Sequence, residues 1–351
     1  MTELDVDLRH HGDLDATPGL IDLAVNVRAE TPPRWLLDAI AAVDLARYPE
    51  QRAALAAVAG RHGRDVGEVL LTNGAAEAFV LVARALQPRH AVVVHPQFTE
   101  PETALRAAGH VVDRLVLAPP FLLDPGLIPD DADLVALGNP TNPTSVLHPA
   151  ATVRALVRPG RTVVVDEAFA DCVAGERESV AGDGDLAGLI VVRSLTKTWG
   201  LAGLRAGYVL AGPATIDRLR AAQPLWPVNA SALAACVACS SERATADTAA
   251  WLQILTAERA HLVAALRDLG ADVVPEPAAS FVLARFDRSD LVPYLRTAGF
   301  AVRRGDTFPG LGPQWMRIAV RDPITTDRFA DALRSVLAGA PHDRTSEDGC
   351  S

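Results

Sequence analysis

Lysine is almost missing from this chain. The 351 residues hold 33 Lys plus Arg, and Lys197 is the one lysine beside 32 arginines. The two cations do similar work on a surface, so the bias itself is compositional. A lysine that survives it is expected where a primary amine is needed. A guanidinium neither forms a Schiff base nor acts as a base near neutral pH. The same shortage excludes several classes of enzyme. A Walker loop needs Gly-Lys, and here the lysine follows Thr196. There is no HExxH and no GxSxG. Gly182 and Gly184 lie in an acidic loop with no strand before them, so they make no dinucleotide fingerprint. Basic runs are absent and the net charge is −10, which excludes a nucleic-acid scaffold.

Apolar runs of bilayer length are also wanting. The longest uncharged stretch, residues 221–241, contains Gln223, Pro224, Pro227 and Asn229, which a membrane span tolerates poorly. The N-terminus carries Glu3, Asp5 and Asp7 and lacks a basic segment followed by an apolar one, so no signal peptide is expected. The reading is of a cytoplasmic protein without membrane or nucleic-acid partners. Cysteine is scarce: Cys172, Cys236, Cys239 and Cys350 read as reduced thiols. Cys236 and Cys239 form a CxxC in an Ala-rich run with no second ligand pair. They read as small buried apolar residues, and no metal site is expected.

What the chain does have is a regular alternation. Hydrophobic residues make up 49% and charged residues 22%, a globular balance. From residue 50, helical spacing over 51–60, 75–86, 100–108 and 150–157 alternates with short β-rich runs. Those runs are 68–72, 91–95, 111–117, 134–137, 162–165 and 189–193. Apolar strands alternating with helices predict an α/β fold, a mainly parallel sheet sandwiched by helices. After Pro227, Ala-rich helices over 231–240 and 245–269 precede strands at 280–286 and 316–320. Further helices at 291–298 and 324–337 complete a smaller α+β domain. The expected layout is an N-terminal arm with part of the small domain (1–45), a large domain (46–228), the small C-terminal domain (229–340) and a disordered tail (341–351).

Ligands in such sheets bind beyond the strand C-ends, and four chemically loaded segments stand there. Asn73-Gly74-Ala75-Ala76 opens a helix directly after a strand, where free N–H groups can hold a phosphate. Asn139-Pro140-Thr141-Asn142-Pro143-Thr144 forms a rigid polar loop that can present an amide. Asp166 ends three consecutive valines, so its carboxylate is buried and needs a cation, either a protonated ring nitrogen or an arginine. Ser194-Leu195-Thr196-Lys197 runs on through Gly200 and Gly203 to Arg205. A phosphate cradle, an amide, a buried Asp and an amine in one domain are the set that pyridoxal 5′-phosphate requires.

These segments resemble fold-type-I pyridoxal-phosphate enzymes of aminotransferase class I/II over about residues 11–321. The most specific match is Ser194-Leu195-Thr196-Lys197 followed by Gly200-Leu201-Ala202-Gly203-Leu204-Arg205-Ala206-Gly207-Tyr208. The resemblance implies that fold, with a seven-stranded type of sheet. Lys197 would be the Schiff-base lysine, Asp166 the partner of the pyridine nitrogen and Asn142 the ligand of the ring oxygen. Gly74, Ala75, Ala76, Ser194 and Arg205 would surround the phosphate, with Phe98 and Phe169 against the ring. Arg317 would grip the substrate carboxylate, with Asn26, His11, Arg28 and Arg303 completing the substrate site. Tyr48 would reach the cofactor phosphate of the other subunit in a homodimer. Two branches compete within the family, histidinol-phosphate aminotransferases and the threonine-phosphate decarboxylases of cobalamin biosynthesis. His10-His11-Gly12, Phe169 in place of tyrosine, and the 302–321 pattern favour the decarboxylase. Transamination of a histidinol-phosphate type or other amino acid is the alternative, and a non-catalytic pyridoxal-phosphate binder a second. Departures fall at Asp13, at 26–31 and at Ser145, where relatives carry glycines or an Asn-x-Asn-Pro-x-Gly run.

Overall fold

The computed structural model describes residues 7–339. The tail expected to be disordered (341–351), with Cys350, lies outside the described residues. Twelve strands are described, in chain order: β1 (Ile21–Leu23), β2 (Val69–Asn73), β3 (Ala91–His95), β4 (Val112–Val116), β5 (Leu134–Gly138), β6 (Thr162–Asp166), β7 (Leu189–Ser194), β8 (Ala206–Ala211), β9 (Asp272–Val273), β10 (Phe281–Arg285), β11 (Phe300–Arg304) and β12 (Trp315–Ala319). They form a seven-stranded sheet, order β2-β8-β7-β6-β5-β3-β4, and a five-stranded sheet, order β1-β11-β12-β10-β9.

The large sheet is parallel from β4 to β7, and β8 is antiparallel to both its neighbours. Its central strands β5 and β6 are apolar on both faces, up to the closing Asp166, because both faces are covered. Val163 and Val165 enter one core cluster, with Val58 and Val153 from covering helices. Val164 enters the other, with Phe79 and Val82 of the helix Gly74–Leu86. That two-residue alternation leaves little strand face for polar side chains at the centre of the sheet. The chemistry is therefore pushed to the strand ends.

Register does the rest. Gly138 at the end of β5 pairs with Asp166 at the end of β6, and Asp166 pairs with Val192 of β7. Ser194, closing β7, pairs with Gly207 of β8, and Asn73, closing β2, pairs with Ala206. The four chemically loaded segments are thus neighbours across one edge of the sheet.

Four strands escaped the sequence pattern: β1, β8, β9 and β11. β8 contains Gly207, which reads as a turn residue, but a Cβ there would lie 2.8 Å from both Ala75 N and Gly74 C. The glycine lets the start of the helix Gly74–Leu86 approach the strand closely. β11 ends in two arginines, which reads as solvent-facing, although Arg303 is buried. In the N-terminal segment, β1 adds in parallel to the edge of the small sheet through β11.

Ser145 joins the two sheets' regions. It is buried at φ +62°, its Oγ accepts from Ala279 N at 2.7 Å and its carbonyl from Ala278 N at 2.8 Å. Ser145→Ala is expected to destabilise the protein by about 1–3 kcal/mol, because the buried Ala279 N–H loses its acceptor. Ser145→Gly is expected to cost less, since it also removes a left-handed non-glycine residue. Denaturant unfolding of the two variants checks the order.

Candidate active site

A cavity of about 510 Å³ opens at the aligned strand ends, between the large sheet and β11 and β12. Its wall includes Lys197, Thr196, Ala76, Ala202, Arg205, Asn142, Phe98 and Phe169 from the large-sheet side. Arg303, Phe308 and Arg317 come from the small-sheet side, and His11, Asp13, Ala24 and Asn26 from the N-terminal segment. That volume suits a small ligand with its cofactor.

Lys197 stands on a one-turn helix, Thr196–Trp199, directly after β7. Burial pulls its pKa down to about 8; Arg317 and Arg205 push the same way and Asp166 opposes them. The amine is therefore within reach of its free-base form near neutral pH. Asp166 closes β6 and is pushed up to about 6, chiefly by burial. The backbone N–H of Ala168 donates to it at 3.0 Å. No ion pair holds it among the described residues, so a buried carboxylate stands ready for a cationic ring nitrogen.

A cradle suited to an anion is built from backbone. The helix Gly74–Leu86 starts with no side-chain cap, so its first N–H groups are uncommitted. Gly74 has φ +75°, and a Cβ there would fall 2.7 Å from a guanidinium nitrogen of Arg205. The glycine thus leaves room for an arginine over a helix N-terminus, a cradle for a dianion. Ser194 lies behind, its Oγ accepting from Thr196 N at 3.2 Å. Thr196 itself lines the cavity. It was visible in the sequence as one more hydroxyl beside the lysine, but its role is set only by the turn after β7.

Arg317 organises the opposite wall. It is 5% exposed, and its guanidinium donates to Ala24 O and to Asn142 Oδ1. With the Asn26 amide oxygen turned toward it, Asn26 accepts at 3.1 and 3.0 Å. It also lies 5.3 Å from the Phe281 ring centroid. All these partners are neutral, and burial pulls its pKa down to about 9, with Arg303 adding to the effect. A buried guanidinium without a carboxylate calls for an anion. Because Asn142 gives its oxygen to Arg317, its NH₂ is left to donate into the cavity. Arg303 is held by Asp15 at 3.3 Å and by the His10 carbonyl, over the Phe308 ring. His11 bonds Glu100 at 2.9 Å and tilts against Phe98 at 5.5 Å. Phe169 packs edge-on to Phe281.

Arg28 does not line this cavity, and neither does Tyr48, the residue expected to serve the other subunit's site. The Arg28 guanidinium stacks over Trp251 at 5.0 Å and lines a separate cavity of about 190 Å³ with Glu30, Glu258 and Arg321. Its backbone N–H does reach the site, donating to Lys197 O at 2.9 Å. Tyr48 is 75% exposed and stacks on Trp226 at 4.3 Å. Cys236 and Cys239 are buried in the core, with the Cys236 thiol pushed up to about 12. No cluster of metal-ligating side chains occurs among the described residues. No helix among them is long and apolar enough to cross a membrane.

The residues present fit pyridoxal 5′-phosphate: an uncapped helix start under Arg205, a buried carboxylate lacking a cation, a free amide NH₂ and one amine. Comparison with known proteins agrees. The chain matches the family described as "Aminotransferase class I and II" over residues 18–333. It is 52% identical over 319 residues to a histidinol-phosphate aminotransferase of Mycobacterium tuberculosis, covering 89% of this chain and 87% of that one. It is 31% identical over 344 residues to the threonine-phosphate decarboxylase of Salmonella typhimurium, covering 92% and 93%. Its fold matches the crystal structure of the histidinol-phosphate aminotransferase from Clostridium acetobutylicum at a TM-score of 0.84 and 24% identity, covering 92% and 100%. The chain belongs to the aminotransferase class I and II family and is a pyridoxal-phosphate-dependent enzyme of the fold-type-I architecture.

Proposed function

We propose that the protein transfers the amino group of a phosphorylated amino donor, of the histidinol-phosphate type, to a 2-oxo acid. The observation that carries this reading is Arg317, a buried cation with only neutral partners, across the cavity from Lys197. A donor with an anionic end is drawn to it while its amine meets Lys197. The 52% identity to a mycobacterial protein named histidinol-phosphate aminotransferase supports the donor class.

When bound, the cofactor supplies an electron-poor ring that accepts the electron pair of a broken Cα bond. The chain supplies the rest. Asp166 would hold a proton-bearing ring nitrogen by charge, and Asn142 would donate to the ring oxygen. Arg205 and the N–H groups of Ala75 and Ala76 would hold the phosphate. Arg317, aimed by Asn26 and the Ala24 carbonyl, grips the donor's anion. Lys197 would move the Cα proton, a task suited to an amine with a pKa of about 8.

A second reading, decarboxylation of threonine phosphate in cobalamin biosynthesis, draws on His11 and Gly12 lining the cavity and on Phe169. We also infer a cytoplasmic homodimer. Leu45, Tyr48, Leu225 and Trp226 expose an apolar patch at one surface, which suits a second copy. The domain limits at 46–228 and 229–340 fit strands confined to 69–211 and, β1 aside, to 272–319.

The test is an assay of the loaded enzyme with histidinol phosphate plus 2-oxoglutarate beside threonine phosphate. Amino transfer that requires the 2-oxo acid is expected. Release of CO₂ from threonine phosphate without a 2-oxo acid establishes the second reading instead. Arg317→Met is expected to lower kcat/KM for the donor by about 30-fold or more, mainly through KM.

A further inference from the structure

Two buried histidines stand at the root of the loop that carries Asn142. His95, at the end of β3, and His148 are 0% and 2% exposed. Both line a void of about 10 Å³, beside Thr141 and Thr144 and otherwise among backbone and apolar groups. That is room for one water. Each ring has a buried Nδ1 with no protein partner.

The hydrogen-bond pattern fixes what those nitrogens need. Thr141 donates its hydroxyl to Gly138 O at 2.7 Å. It therefore accepts from His148 Nε2 at 3.3 Å, so His148 carries its hydrogen on Nε2. Burial holds this imidazole neutral, and its Nδ1 is a bare acceptor. His95 Nε2 faces Glu102 at 2.8 Å. Arg106 and Arg114 also bind Glu102 and keep it ionised. The His95 hydrogen is then on Nε2, burial disfavours a second one, and its Nδ1 is an acceptor too. Water has two hydrogens to give, and the void holds two acceptors. Thr144 Oγ accepts from Val146 N at 3.3 Å and keeps its own hydrogen to donate to the water oxygen.

We propose that one built-in water bridges His95 Nδ1 and His148 Nδ1, and that through it His148 positions the loop bearing Asn142 against β3. The loop is already closed on itself. His148 N donates to Asn139 Oδ1 at 2.8 Å, Asn139 Nδ2 donates to His148 O at 3.1 Å, and Thr141 N donates to Val146 O at 2.9 Å. The water ties this closed unit to the neighbouring strand, so the direction of the Asn142 amide depends on His148. This last step rests on the cofactor reading above; the water does not.

Two measurements test it. A crystal structure of the wild type fine enough to show ordered water is expected to place one between the two Nδ1 atoms. A void with no density there overturns the proposal. His148→Phe removes the acceptor and fills the space, whereas His148→Asn keeps an acceptor near the Nδ1 position. In the loaded enzyme, His148→Phe is expected to move the visible-absorbance pH titration by about 0.5–1 unit, the size of one hydrogen bond. His148→Asn is expected to restore the wild-type midpoint. A His148→Phe variant that melts and titrates like wild type contradicts the positioning role. If the wild type takes up no pyridoxal phosphate, the cofactor reading fails, and the water density alone decides the void.

Discussion

Lys197→Ala is expected to remove turnover by about 10⁴-fold or more while leaving the protein folded. No other lysine exists in the chain to substitute. The guanidiniums of Arg205 and Arg317 share its cavity, and Arg317, although pulled down to about 9, stays protonated near neutral pH. They cannot take over as nucleophile or base. Lys197→Arg separates the two properties of the residue. It keeps a cation in the same wall and discards the primary amine, and the same loss of turnover is expected. Stability should move the other way. Lys197 is a desolvated cation facing Arg317 and Arg205, so replacing it with alanine relieves burial and repulsion. A melting temperature equal to or above wild type, together with lost turnover, is the expected pair of results. Calorimetry and a single-turnover assay measure them.

Asp166→Asn is expected to act with opposite signs on stability and on activity. In the protein without cofactor, burial raises the Asp166 pKa from 3.8 to about 6. The folded state then binds more protons than the unfolded state between those values, so stability falls as pH rises through that window. The cost of the buried charge at pH 7 is about 2–3 kcal/mol. Asparagine has the same shape and no charge, so the cofactor-free variant is expected to be the more stable above pH 6. Its stability should also be flatter in pH between about 4 and 6. In the loaded enzyme the carboxylate would face a cationic ring nitrogen, whose proton asparagine would not hold by charge. Turnover is expected to fall by about 10²–10³-fold, with weaker cofactor retention. Unfolding curves at several pH values and steady-state assays check both halves. A variant that is both less stable without cofactor and fully active would contradict the placement of Asp166.

The parts of the site that were legible in the sequence are those whose chemistry is local. Three valines before Asp166 announce a buried carboxylate whatever the fold, and a lysine among 32 arginines draws notice by itself. Asn73-Gly74 at a strand-to-helix junction reads as a phosphate turn for the same reason. Side chains that depend on how distant segments meet were harder. Arg28 and Arg303 look equally suited to an anion in the sequence. Only packing sends one over Trp251 and the other into the cavity under Asp15. β11 was missed because its charged end belongs to an interior strand, and β8 because Gly207 is there for the helix pressing on it. Glu100 carries no motif at all; its bond to His11 joins residues 89 apart in sequence. Ser145 looked like a small departure, and its value to the fold comes from Ala278 and Ala279, more than a hundred residues away. The order of the two candidate reactions also changed. Local motifs put decarboxylation first, while the 52% identical relative favours amino transfer; the neutral shell around Arg317 asks only for an anion, which either substrate carries.

The central claim is that Lys197 binds pyridoxal 5′-phosphate covalently in this cavity. Borohydride reduction of the loaded protein, followed by proteolysis and mass mapping, tests it most directly. The account predicts one reduced adduct, on the peptide containing Thr196, Lys197 and Thr198, absent from Lys197→Ala and Lys197→Arg. A reduced adduct confined to the N-terminal amine, or none in a protein that still turns over, would contradict it.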